Sequence, residues 1–306
     1  MTWDPTVLSR VRHLHLRARV LTDALLVGEH RSRRVGSAVE FADYQEYRPG
    51  MDLRHMDWRV MGRSDKTVVK RFETETELAC SVVLDLSGDL ATGTTGVGGY
   101  PDLDATKAGY AIVLAATILF YLHRHGEPVG LEIVGGKGMQ YASLPPRSGR
   151  SHLQRLFLQL AQATPSGRAN LAPAIQRIGQ RVRRRSLCIV VTDGMEEPSE
   201  WLPSLRALAR RKTDLRVVHL FDRGEWTLSF KNAGLFFSPE GGDALPIDPA
   251  GARERFADVV DEYVQEVRGG IVSVGGRHIL TSTDTDMAET ARRVILGHEA
   301  GGGSWR

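Results

Sequence analysis

The sequence predicts an α/β fold built on a doubly wound, mostly parallel sheet, and two observations carry that expectation. From Cys80 onward, short apolar runs of strand length alternate with longer stretches of helical period. One such run, "VVLDLSGDL" at Val82–Leu90, suits a strand buried on both faces and then ends abruptly in polar residues. Composition agrees, because 306 residues with 42% hydrophobic and 25% charged side chains can bury a substantial core.

Taken in order, the chain opens on a helix. Asp4 before Pro5 offers an N-cap followed by a first-turn proline, and Leu8, Val11, Leu14, Ala18, Leu21 and Leu25 keep a helical period. The pattern is then irregular from Arg31 to Leu78: "EFADYQEYRPG" reads as extended, "DLRHMDWRVMG" as a short helix and "KTVVKRFETE" as an alternating strand. Expected strands follow at Cys80–Asp85, Val129–Val134, Leu187–Thr192, Leu215–Phe221 and His278–Ser282. Expected helices lie at Leu103–His125, Ser151–Gln162, Leu171–Arg183, Ser199–Arg211, Ala250–Arg268 and Thr285–Leu296. The organisation expected is therefore an N-terminal helix and lead-in over 1–76, an α/β domain over 77–298 and a disordered tail, "GGGSWR", over 299–306.

Bulk properties exclude several classes. A formal net charge of +3, from 40 basic and 37 acidic side chains, is too balanced to announce nucleic acid or an anionic membrane. The most apolar stretch, Ala108–Leu122, falls short of the roughly 20 residues a bilayer requires, so it reads as a buried helix. Met1–Val20 lacks the uninterrupted apolar core of a signal peptide. Cys80 and Cys188 sit at or within strand-like runs, which suits buried thiols in a reducing cytoplasm better than a disulfide or metal site.

The chemistry concentrates at strand ends. Asp85, Ser87 and Asp89 occupy the loop after the first core strand, while Asp193 stands just past another. Ligands in this fold class sit beyond the carboxyl ends of the strands, so both loops should face one crevice, with the Ser166–Asn170 loop close by. An oxygen-rich set poor in His and Cys suits a hard cation such as Mg²⁺ or Mn²⁺. A bland alternative is that the strands simply end in turn-forming residues.

"LDLSGD", "GRANL" and "VVTDG" resemble the von Willebrand factor type A domain, whose metal-ion-dependent adhesion site is written D-x-S-x-S, then a threonine, then an aspartate. The stretch Gly36–Leu78 is similar to the signature of the bacterial family named domain of unknown function 58, in which such a segment precedes a type A domain. Asp85 and Ser87 match the first two motif positions and Asp193 the last, whereas Asp89 replaces the second serine and Ala169 the threonine. The first departure adds negative charge and the second removes a ligand, leaving Asn170 or Ser166 to supply the missing oxygen. The resemblance implies a non-enzymatic adaptor that works with a MoxR-type AAA+ ATPase on a client protein, without inserting in a membrane itself. Asp85, Ser87, Asp89, Asn170 and Asp193 would form its contact face, with or without the cation.

In the lead-in, Arg48, Asp52, Arg54, Asp57 and Trp58 carry the family signature, with Pro49 and Gly50 supplying tight-turn chemistry. They read either as a staple that holds the lead-in to a core or as a docking surface for a partner. The basic runs "EHRSRRVG" and "RVRRRS" read as solvated helix ends, where cations suit the helix dipole, ahead of a nucleic-acid surface. A Mg²⁺-dependent phosphohydrolase using Asp85 as nucleophile is the enzymatic alternative. It lacks the usual acid two positions on, where Ser87 stands, and a lysine evidently aimed at the phosphate.

Overall fold

The computed structural model describes residues 5–29, 41–46, 60, 62, 68–72, 78–93, 106–136, 141–182, 186–229, 233–236 and 245–298. It divides into one unit formed by Met1–Val27 with Leu78–Arg306 and a second formed by Gly28–Glu77.

Helix α1 (Pro5–Glu29) follows the helical period read from the sequence. It buries Leu14, Ala18 and Leu25 in the main hydrophobic cluster, and His15 sets its ring edge-on to Phe120 at 5.1 Å between centroids. The helix therefore belongs with the α/β body, whereas the sequence reading grouped it with the lead-in. The apolar stripe decides this, since a stripe three turns long has to be covered. In the second unit, β1 (Phe41–Glu46) and β2 (Val68–Phe72) pair antiparallel, with the register shifting between Phe41 and Asp43. These are the two segments read as extended. Of the segment read as a short helix, only Val60 and Gly62 are among the described residues, and both are helical.

The α/β body begins with β3 (Ala79–Leu86), which runs into a short 3-10 turn at Gly88–Ala91. Helix α2 (Lys107–Arg124) follows, then β4 (Val129–Gly135) and β5 (Tyr141–Arg147). Two helices, α3 (Arg150–Gln162) and α4 (Leu171–Arg181), lead to β6 (Ser186–Thr192). Then come α5 (Pro198–Ala209), β7 (Thr213–Phe221) and the single turn α6 (Arg223–Trp226). A small hairpin of β8 (Gly234–Phe236) and β9 (Leu245–Ile247) precedes α7 (Pro249–Ser273), β10 (Arg277–Ser282) and α8 (Met287–Leu296).

Six strands form the central sheet in the order β10-β7-β6-β3-β4-β5. All neighbours are parallel except β4 and β5. Side chains alternate between its faces as the two-residue period of a strand requires. Val82, Leu84, Ile189 and Val191 enter a core shared with α1, α2, α3 and α8, while Val83, Cys188 and Val190 pack beneath α4, α5 and α7. Helix α2 is buried almost all round, which is why its sequence looks membrane-like; among the described residues no helix is long and apolar enough to cross a membrane. Cys80 and Cys188 are free and fully buried, and burial pushes the Cys188 thiol up to about 12.

One buried charge on the sheet is doubly paired. Glu132 on β4 is 2% exposed and is gripped by Arg177 at 3.1 Å and Arg181 at 2.9 Å from α4. Arg181, read from the sequence as part of a solvated helix end, is thus a structural counter-ion. The run "EHRSRRVG" lies outside the described residues beyond Glu29.

The topology fixes the crevice. From β3 the chain crosses through α2 to β4 on one side, and through α3 and α4 it reaches β6 on the other side of β3. The switch point therefore lies outside the carboxyl ends of β3 and β6, where a doubly wound sheet opens.

Candidate functional site

Both strand ends deliver a carboxylate to this switch point. Asp85 is the seventh residue of β3 and is 1% exposed; Asp193 follows directly on β6 and is also 1% exposed. Asp85 Oδ1 accepts from the Ser87 backbone N–H at 2.8 Å, and Asp85 Oδ2 from the Thr192 hydroxyl at 2.7 Å. The Thr192 oxygen in turn accepts from the Gly194 N–H at 3.0 Å. Asp193 Oδ1 accepts from the Met195 N–H at 3.3 Å, and its Oδ2 from the Lys107 ammonium at 3.2 Å. Every one of these four carboxylate oxygens thus has a protein donor.

Lys107 is the residue that sequence reasoning missed. It is the first residue of α2, only 3% exposed, and its Nζ also lies 2.9 Å from Glu225 Oε2. Thr106 caps the helix by accepting from the Gly109 N–H at 3.1 Å. A cation at the positive end of a helix dipole is out of place, so this lysine is held by its two carboxylates. Burial alone would lower its pKa, but Asp193 and Glu225 together raise it above the ordinary lysine value. Glu225, on α6, is fixed from the other side by the Thr92 hydroxyl.

Burial, and then the repulsion of Asp193, push the Asp85 carboxyl up to about 7 against the downward pull of its Thr192 and Ser87 hydrogen bonds. Beneath the site, burial holds His219 down at about 4, and His278 at about 3 with His219 and Arg268 adding to the effect. The two imidazoles face each other across 3.2 Å, from His219 Nδ1 to His278 Nε2. Gly194 adopts φ +73°, and a Cβ there would sit 2.8 Å from His219 Nε2, so the glycine lets the loop after β6 close over the histidine.

The third loop is joined to the site through main-chain bonds. Ser166 N–H donates to Leu86 O at 3.0 Å, Gly88 N–H to Gly167 O at 2.8 Å and Gly136 N–H to Ser166 O at 2.8 Å. Gly135, at φ +74°, is required where the β4 end meets β3, since a Cβ would come within 2.7 Å of Leu86 O.

The structure thus brings Asp85, Ser87 and Asp193 together in one buried set and places two other expected ligands differently. Asp89 is half-buried in the 3-10 turn, and Asn170 stands exposed at the start of α4 without a side-chain capping bond. A hydroxyl that donates to Asp85 comes from Thr192 at the end of β6, a residue outside the expected motif. Among the described residues no group of three or more His, Cys, Asp or Glu side chains is arranged to hold a metal. The set does not fit a divalent cation: Asp85 and Asp193 already accept from protein donors, and the Lys107 ammonium brings its own positive charge against Asp193. Arg48, Asp52, Arg54, Asp57 and Trp58 lie outside the described residues.

Above Lys107 the crevice widens into a cavity of about 350 Å³. Phe221, Trp226, Phe256 and Tyr263 contribute to its walls, and Asp193, Lys107 and Glu225 to its polar side.

The family described as protein of unknown function DUF58 matches residues 43–266. The chain belongs to that family. The DUF58 match takes in β2, the whole of the switch point and most of α7. The uncharacterized proteins Rv1480 of Mycobacterium tuberculosis and Mb1516 of Mycobacterium bovis are each 29% identical to the chain over 314 residues, 97% of this chain and 93% of theirs. Among solved structures, the conserved hypothetical protein BatB from Bacteroides thetaiotaomicron is similar with a TM-score of 0.43 at 13% identity, over 72% of this chain and 98% of that one. The VWA domain of SpRpn10 is similar with a TM-score of 0.37 at 10% identity, over 75% of this chain and 100% of that domain.

Proposed function

We propose that this DUF58 protein is a non-enzymatic interaction module whose contact face is the rim of the β3/β6 switch point, and that Lys107 supplies there the positive charge a divalent cation would bring. One observation carries the reading: at the mouth of the crevice, Met195 and Val259 remain 63% and 61% exposed around an apolar cavity. Large apolar side chains clustered at a concave site mark a surface that another macromolecule covers. In the finer form of the proposal, that macromolecule is a MoxR-type AAA+ ATPase in the cytoplasm, acting with this chain on a client protein. Co-purification with the ATPase encoded beside it tests this, with Met195→Asp as the disrupting variant. Association unchanged by that substitution would remove the rim from the mechanism.

A phosphohydrolase reading gains one thing from the structure, the lysine that the sequence did not reveal. Against it stand the burial of Asp85 and the engagement of both its oxygens by protein donors. Hydrolysis of an aryl phosphate that vanishes in Asp85→Asn would favour the enzyme; none is expected.

A further inference from the structure

The cavity beside Lys107 has two chemical characters at once. Its walls are aromatic and aliphatic, with Trp226, Phe256 and Tyr263 near Val260 and Val264, and its rim carries the exposed Met195 and Val259. Among the described residues its polar lining is acidic, with Asp193, Glu197, Asp222 and Glu225 set against the ammonium of Lys107. His219 also lines it and is held neutral by burial, so it does not offset the excess. Lys107 is already shared between Asp193 and Glu225, which leaves the lining negative after that pairing. Glu197 is exposed at the opening.

An apolar side chain alone would leave that negative field unanswered, and an acidic one would be repelled by it. A basic side chain with a flat, weakly hydrated head and an apolar stem satisfies both characters: the stem lies along the aliphatic wall, the guanidinium meets an aromatic ring and reaches a carboxylate. A lysine head is more strongly hydrated and stacks less well on a ring, so arginine is the better match. The cavity of about 350 Å³ lies at the low end of the range of ligand pockets, with room for an arginine side chain together with part of a neighbouring apolar residue.

Resting on the interaction-module reading, we propose that this cavity is the anchor pocket of the contact face and that it takes an arginine side chain, flanked by apolar residues, from the partner protein. The polarity is then the reverse of a metal-dependent adhesion site, which recognises a carboxylate.

The test uses the full chain and capped tripeptides as probes: acetyl-Leu-Arg-Leu-amide, its citrulline counterpart, in which a neutral urea replaces the guanidinium, and its glutamate counterpart. Calorimetric or NMR titration should give binding of the arginine peptide at least about tenfold tighter than the citrulline peptide, the order expected for a partly desolvated cation on a ring and a carboxylate. Trp226→Ala should abolish that preference, and the surface change Glu197→Gln should weaken arginine binding several-fold while leaving the melting curve unchanged. Equal affinity for arginine and citrulline, or a preference for glutamate, overturns the proposal, as does displacement of the arginine peptide by stoichiometric Mn²⁺. Discrimination of arginine by a chain that fails to associate with the ATPase would keep the pocket and remove the ATPase reading. Normal association in Trp226→Ala and Glu197→Gln, together with no peptide discrimination, would do the opposite.

Discussion

Replacing Lys107 by methionine tests the site most directly, because it removes the ammonium that faces buried Asp193 and half-buried Glu225 while keeping a side chain of similar length. Lys107 is 3% exposed and pairs with Asp193 at 3.2 Å and Glu225 at 2.9 Å. Removing one partner from a buried ion pair costs about 3–5 kcal/mol, since the remaining charge has lost its counter-ion. At about 1.6 °C per kcal/mol for a chain of this size, the melting temperature should fall by roughly 5–8 °C. The double variant with Glu225→Gln should recover part of the loss, because it discharges one of the stranded carboxylates. Circular-dichroism melts in EDTA and in millimolar Mn²⁺ complete the assay. Wild type should melt alike in both, whereas Lys107→Met, with its acids uncovered, should be raised by Mn²⁺. A wild-type protein stabilised by Mn²⁺ as much as the variant, or a variant that melts within about 1 °C of wild type, would refute the idea that the lysine is the resident cation.

The Asp85 carboxyl, raised to about 7, implies that unfolding releases a proton held by the native state between about pH 4 and pH 7. That contribution is full below the unfolded value and is lost as pH rises through 7, so Asp85→Asn should flatten the fall in denaturation free energy between about pH 4 and pH 7, measured in urea at pH 4, 5.5 and 7. His278, lowered to about 3, acts in the other direction: its native neutrality costs stability as pH falls below the ordinary histidine value, and His278→Gln should reduce the loss between pH 6.5 and 4 in the same melts. Thr192→Val removes the donor to Asp85 Oδ2 and should cost about 1–3 kcal/mol by urea denaturation. Gly135→Ala should cost at least about 1–2 kcal/mol, through both its positive φ and the 2.7 Å approach to Leu86 O, seen as a lowered melting temperature.

The parallel core was legible because its strands are short, mostly apolar segments bounded by polar residues, uninterrupted in the middle of β3 and β6 and broken in β4 by Glu132 and in β7 by Arg216 and His219. The five expected strands lie within β3, β4, β6, β7 and β10. Strand β5 was not anticipated: "YASLPPR" holds two prolines, which an edge strand tolerates and which argue against a strand anywhere else. The hairpin of β8 and β9 is too short to leave a periodic signal. At the site, the acids at strand ends were readable because parallel topology sends them to one place. Lys107 was not, since nothing local distinguishes it from a surface lysine. The one available sign was a cation opening an otherwise apolar helix, where the dipole disfavours it. Glu225 joins from more than a hundred residues away, on a turn that only tertiary packing defines.

The loop from Ser166 to Asn170 is fastened through peptide groups at Leu86, Gly88 and Gly136, and it turns at Gly167, whose φ of +69° suits a glycine. Arg168 and Asn170 project into solvent from a backbone anchored at Ser166 and Gly167. Substitution at Asn170, whose side chain makes no capping bond, can therefore alter what the rim presents while the backbone anchors that position it stay put.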